Sequence, residues 1–239
     1  MLPVNQTASQ VPRLRPLDQF AGSLAQRVYL TLKEAILAIA YRPGEALRKP
    51  EICRALGVSR SPVAEAIARL ATEGLVRVVP QSGTFVARFS MAEIREGAFL
   101  REALEVAAVD LVARTITDDQ LAQLRRNLRV QAALIADHDV QAFYQTDSQM
   151  HDLILSFTGF RRLGWLSDTA WLHVNRARQL ILPTPGRMQA TLAEHEAIVA
   201  ALQRRDPEAA RENTRRHLGQ LLAVLEPLVT ERPELFDPV

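Results

Sequence analysis

The sequence predicts a mainly α-helical chain in two parts, a small N-terminal head of three helices with a β-hairpin and a larger C-terminal all-α bundle. Three observations carry this. Between Leu47 and Val86 a helical segment, the turn Gly57-Val58-Ser59-Arg60-Ser61-Pro62, a second helical segment and a hairpin pattern follow in close order, the arrangement of a winged helix-turn-helix. From Met91 to about residue 230 every long segment has helical period, with short breaks that suit antiparallel neighbours. Charge divides the same way: residues 1–90 carry 12 Lys plus Arg against 6 Asp plus Glu, and the remaining 149 carry 17 against 21. A basic head on an acidic body points to a polyanion, double-stranded DNA, as the partner of the head alone.

Taken in order, residues 1–20 hold three prolines and little apolar period, and read as a flexible arm in which Arg13 and Arg15 either touch DNA or solvate the segment. The head spans 21–89. Its first helix begins near Ser23 and sets Leu24, Val28, Leu32, Ile36 and Ile39 on one face before Arg42-Pro43-Gly44 ends it. In the second helix of the turn motif Ser61 is a good N-cap and Pro62 fits the first helical position. Val63, Ile67 and Leu70 point inward, leaving Arg60, Ser61, Ala64, Glu65 and Ala68 on an outer face able to enter a major groove. Leu75–Val79 and Thr84–Ala87, separated by Pro80-Gln81-Ser82-Gly83, form the wing, with its tip near Ser82. Ser90 caps a helix from Met91, so the body spans 90–232, with breaks near Thr115–Thr117, Asp137–Asp139, Gly159, Pro183–Gly186 and Asp206-Pro207. This gives six or seven helices, and 233–239 read as a frayed tail.

No apolar run reaches the ~18 to 20 residues of a membrane span, and the start lacks the basic-then-apolar order of a signal peptide. A soluble cytoplasmic protein without a membrane partner is expected. The one cysteine, Cys53, excludes an intrachain disulfide and a thiolate cluster, and reads as a core filler.

Polar residues recur in the apolar rows of the body. Phe143, Asp147, Met150, His151 and Ile154 share one helical stripe; Met188, Leu192, His195, Val199 and Leu202 share a second; Ala210, Asn213, His217, Leu221 and Val224 share a third. His195 and His217 each lie 11 positions from the turn at Asp206, about 16 Å along either helix, so an antiparallel hairpin puts them at one level. Asp147 and His151 complete a set of three nitrogens and one oxygen suited to a divalent ion such as Zn²⁺, Ni²⁺ or Mn²⁺; a metal-free polar network is the alternative. Arg101, on a stripe with Leu104, Ala108 and Leu111, faces the interior either as a carboxylate receptor or as the i,i+4 partner of Glu105. Trp165, Trp171, Asn175 and Arg178 fall on helices that could line the same cavity. His138, in a turn, reads as exposed.

With these residues in place the chain resembles the FadR-like branch of the GntR family of bacterial transcription regulators over roughly residues 24 to 228. In the head the likeness rests on Pro43-Gly44 with Leu47, Gly57 through Val63 with Glu65-Ala66, Leu70, Gly74-Leu75-Val76, and Gly83 with Val86. In the body it rests on Arg101 with Leu104-Glu105, Asp147 with His151, His195 with Ile198, Asp206 with Ala210, and His217-Leu218. The resemblance implies a homodimer whose two heads bind a palindromic operator and whose FCD-type domain holds a metal ion and a small organic acid. It implies a repressor relieved by that acid, with Asp147, His151, His195 and His217 as metal ligands and Arg101, with Asn175 and Arg178 nearby, as the effector site. Arg60, Ser61 and Arg69 would contact DNA, and the wing, with Gln81 and Gly83, the minor groove. Two departures stand out: Ala64 replaces a usual arginine, and Arg48-Lys49-Pro50 replaces an acidic helix opening, adding cationic charge near the DNA. A metal-dependent enzyme or a direct metal sensor with a fused head are the competing readings. For the first, His195-Glu196 begins a zincin-like pattern that Val199 breaks.

Overall fold

A computed structural model describes residues 12 and 14–238, with the backbone alone at 165 and 167–169. The chain is mostly helical and forms two compact units, one ending at Arg88 and the other beginning at Phe89.

The first unit contains α1 (Leu24–Leu37), α2 (Lys49–Leu56), α3 (Arg60–Thr72) and an antiparallel hairpin of β1 (Val76–Val79) and β2 (Gly83–Val86). Ser23 caps α1 by accepting from the Gln26 amide, and Val28, Leu32 and Ile36 are buried on the inner face of a helix that packs on α3, where Val63, Ile67 and Leu70 are buried in turn. The stripe stops at Ile36, because the helix ends at Leu37 and Ile39 takes a positive φ of 57° in the turn that follows. Gly57 closes α2 in the left-handed region, a conformation that costs glycine little. Helix α3 begins two residues earlier than the sequence suggests, with Ser59 in place of Ser61 at the N-cap and Pro62 third in the helix. Proline costs nothing there, because the first N–H groups of a helix have no intrahelical acceptor. In the hairpin Val76 faces Val86 and Val79 faces Gly83. The segment before α2 adds to the outer edge of β2, where the Leu47 amide donates to Thr84 O at 2.8 Å and the Gly44 amide to Val86 O at 2.9 Å.

The expected arm is docked where it is described. Leu17–Gln19 forms a 3-10 turn, Arg15 pairs with Glu34 at 3.1 Å, and Thr31 donates to Arg15 O at 3.3 Å. Arg13 lies outside the described residues.

The second unit contains α4 (Met91–Thr115), α5 (Asp118–Ala136), α6 (Val140–Phe157), α7 (Arg161–Ala170), α8 (Leu172–Ile181), α9 (Arg187–Gln203) and α10 (Pro207–Glu231). Caps fix the starts of several: Ser90 for α4, a Thr117–Gln120 capping box for α5, Asp139 for α6 and Asp206 for α10. Helix α4 runs along α10, and α5 along α6 and α9. Gly97 lets α4 approach the start of α8 closely, since a Cβ there would lie 3.0 Å from Ala170 O and from Val174 Cγ2. An apolar core of Val109, Val112, Leu124, Met150, Ile154, Ile198 and Leu202 fills one side of the bundle, and Phe143, Leu182 and Met188 pack separately.

The tail is not frayed. Pro233–Leu235 forms a 3-10 turn, Phe236 is buried, and Phe89 pairs with it: Phe89 N–H donates to Leu235 O and Asp237 N–H to Phe89 O, both at 2.9 Å. An aromatic seat at Phe89 holds residues that carry no periodic signal. No helix among the described residues is long and apolar enough to cross a membrane.

Candidate metal centre

Helices α6, α9 and α10 bring Asp147, His151, His195 and His217 together, with one donor atom of each within 4.8 Å of the others. All four are buried, Asp147 and His195 completely. His217 Nε2 lies 3.3 Å from the Nε2 of both His195 and His151, and His195 Nε2 lies 3.4 Å from an Asp147 oxygen.

The far nitrogen of each ring explains what the near ones can do. His151 Nδ1 lies 2.6 Å from Glu105 Oε2, His217 Nδ1 lies 2.7 Å from Glu194 Oε2, and His195 Nδ1 lies 2.9 Å from Gln131 Oε1. An ionised carboxylate only accepts, so its partner nitrogen carries the proton. Gln131 is fixed as an acceptor toward His195 because its Nε2 donates to Asn127 Oδ1 at 2.7 Å, while Asn127 Nδ2 donates to the Thr146 carbonyl at 2.8 Å. Three Nε2 lone pairs therefore converge with no proton between them. Asp147 adds a carboxylate that is paired with Arg178 yet accepts no hydrogen bond of standard geometry among the described residues. Converging neutral imidazoles with oriented Nδ1 groups, plus one carboxylate, suit a divalent cation, and a purely hydrogen-bonded network would leave these acceptors facing each other.

Electrostatics agree with neutral rings at His195 and His217. Burial, together with His217, His151 and the nearby guanidiniums, holds His195 well below the ordinary imidazole value. Burial, His151 and Arg101 do the same to His217. Burial would raise the Glu105 carboxyl, but Arg101 and His151 beside it hold it far below the usual carboxylate range.

Beside the cluster lies a cavity of ≈ 30 Å³ lined by Arg101, Asp147, Arg178, Arg187, Thr191 and His217 with several aliphatic side chains. Arg101 is both a cavity residue and the partner of Glu105, at 2.6 Å, and its guanidinium lies over the Trp171 ring. Asn175 is not among the lining residues; its backbone carbonyl accepts from Tyr144. The side chain of Trp165 lies outside the described ones, and His138 is exposed. The reading from sequence missed Gln131, Asn127, Glu194 and Arg187. Gln131 and Asn127 interrupt the α5 stripe as the histidines interrupt theirs, so the same signal was present.

In the first unit Arg48 and Lys49 are exposed at the start of α2, Arg60 and Ser61 at the start of α3, and Gln81 and Gly83 at the hairpin turn. Gln81 takes a positive φ of 61° there. Arg69 is turned toward α1, stacking 3.7 Å from the Tyr29 ring centroid and donating to Gln26 Oε1 at 2.5 Å.

Comparison with known proteins matches residues 24–86 to bacterial regulatory proteins of the gntR family and residues 96–220 to the FCD domain. An HTH-type transcriptional regulator in an unstable DNA locus of Streptomyces ambofaciens is 33% identical over 87% of this chain and 88% of its own. The HTH-type transcriptional repressor RspR of Escherichia coli is 31% identical over 89% of this chain and 93% of its own. A GntR transcriptional regulator from Rhodococcus sp. RHA1 superposes with a TM-score of 0.75 at 26% identity, over 86% of this chain and 99% of that one. The matched families are transcription regulators, not enzymes. The chain therefore belongs to the GntR family of bacterial regulatory proteins, a transcription regulator that joins a DNA-binding helix-turn-helix unit to an FCD domain.

Proposed function

We propose that this regulator, of the FadR-like branch, is a cytoplasmic homodimeric repressor. Its FCD domain holds a divalent ion, zinc, nickel or manganese, on Asp147, His151, His195 and His217 and binds a small organic acid beside it. The observation that carries this reading is the convergence of three unprotonated Nε2 atoms and a carboxylate next to a cavity rimmed by guanidiniums. A bound ion would supply positive charge and an electrophilic seat for a carboxylate, and Arg101 and Arg178 are placed to receive one.

In the head, Arg60 and Ser61 would enter the major groove, Arg48 and Lys49 would sit on phosphates, and Gln81 with Gly83 would reach the minor groove. Arg69 would contribute by holding α3 on α1. Two heads of a dimer address successive half-sites of a palindrome, and the acid acts by favouring a dimer state that no longer fits the operator. The relative named a repressor supports the sign of regulation. The test is fluorescence anisotropy on the upstream intergenic DNA at near-physiological salt with nonspecific competitor. Saturable binding that a carboxylic acid reverses only in metal-loaded protein is expected. If replacing His195 and His217 together left metal content and acid response intact, the mechanism would be wrong.

A further inference from the structure

The cavity beside the four-residue cluster gathers guanidiniums from three helices: Arg101 on α4, Arg178 on α8 and Arg187 at the start of α9. Each already faces a carboxylate. Arg101 pairs with Glu105 at 2.6 Å, Arg178 with Asp147, and Arg187 with Glu194 at 2.6 Å. Three cations thus meet three anions, so the guanidiniums and carboxylates around the cavity cancel before an ion arrives. A divalent ion leaves it two charges positive. Asp147 is the carboxylate among the lining residues, and it is already paired. Buried charge without a counter-charge is strongly disfavoured, so the missing anion has to come from outside.

Donors are in place for it. Arg178 is buried, and its Nη1 has no hydrogen-bond partner among the described residues. Arg101 uses Nε on Glu105, and Arg187 uses Nη2 on Glu194, so each keeps other N–H groups for a ligand. Thr191 adds a buried hydroxyl to the wall. The cavity is small, ≈ 30 Å³, so an acid enters only as the arginine side chains that line it give way, and a short chain asks the least of them. We propose that the effector is a short-chain dicarboxylate, one carboxylate directed at the four-residue cluster and the second received by Arg187 and Arg178. This deepens the reading of an acid effector and rests on it.

Full-length protein loaded with Zn²⁺ is titrated calorimetrically with pairs of equal chain length, malonate against propionate and succinate against butyrate, with sulfate as a dianion lacking two carboxylates. A charge-assisted pair of hydrogen bonds predicts at least a roughly tenfold preference for the dicarboxylate. Arg187→Gln should lose that preference at unchanged zinc content and unchanged monocarboxylate affinity, and Arg187→Lys should recover part of it. Equal affinities within each pair, sulfate binding as tightly as succinate, or an undiminished preference in Arg187→Gln would each overturn the proposal while leaving a monocarboxylate effector standing. Failure of every acid to bind zinc-loaded protein would overturn that broader reading as well.

Discussion

Thr146 terminates a chain of amides that ends at His195, and the polarity of the chain follows from a backbone carbonyl that can only accept. Asn127 must point its amide nitrogen at Thr146 O, Gln131 must then donate to Asn127, and only the Gln131 carbonyl is left for His195. The ring is thereby held with Nδ1 protonated and Nε2 bare, without a carboxylate behind it such as His151 and His217 have. Gln131→Leu removes the acceptor, and zinc affinity should fall about 10- to 100-fold in competition with a chelating dye. The ¹⁵N shifts of His195 should then show mixed tautomers, whereas Gln131→Glu, which keeps an acceptor, should restore the Nδ1–H form. Unchanged affinity in Gln131→Leu would mean that packing alone orients the ring. The same residues set a pH dependence in chelated protein. Folding holds His195 and His217 below their ordinary value of 6.5, so the unfolded chain binds more protons as pH falls through that value. Stability is full above about pH 6.5 and declines below it, at up to about 1.4 kcal/mol per pH unit for each ring. Thermal unfolding between pH 7.5 and 5 would read this, and a flat profile would contradict neutral buried rings.

At the scale of elements, what could be read from sequence was what repeats or caps. Ser23, Ser90 and Asp206 mark helix starts that the structure reproduces, because a side chain one residue before an apolar stripe has a local job. The polar interruptions of α6, α9 and α10 were legible for the same reason, since a histidine in a buried row needs a partner. Segments held by long-range contacts were not legible. Arg15 docks on Glu34, nineteen positions away, the helices part at Trp171 without a proline or glycine, and Phe236 follows no period. The tail shows how strong such a contact can be: Phe236 stacks near Phe89 at 5.8 Å between centroids, and the Arg176 guanidinium sits 4.5 Å over the Phe89 ring. Phe236→Ala should therefore destabilise the second unit by about 3 kcal/mol and speed exchange of the Phe89 amide, seen in denaturant titration and hydrogen exchange. A loss under about 0.5 kcal/mol, ordinary for a surface substitution, would place the tail outside the cooperative unit.

For the whole molecule the decisive fact is that the chain folds as two compact units with opposite charge bias. The first unit has its own core in Val28, Leu32, Ile36, Val63, Ile67 and Leu70, and none of its residues belongs to the four-residue cluster. The second unit encloses that cluster among α6, α9 and α10, where converging lone pairs are unfavourable without a cation. An ion that binds only the folded second unit stabilises it by mass action, by about 2.7 kcal/mol at a hundredfold excess over Kd and about 4.1 at a thousandfold excess. Calorimetry of the full chain should consequently resolve two transitions that respond differently to a chelator. The transition of the second unit should move down by roughly 5 to 16 °C, at about 2–4 °C per kcal/mol for a unit near 150 residues. That of the first should stay within error, and zinc should reverse the shift. Amide exchange assigns the transitions, because protection should fall in α9 and α10 and persist in α1 and α3. A single transition moving as a whole would mean that the two units unfold together, and the metal would then control the DNA-binding head through global stability instead of through the state of the FCD domain.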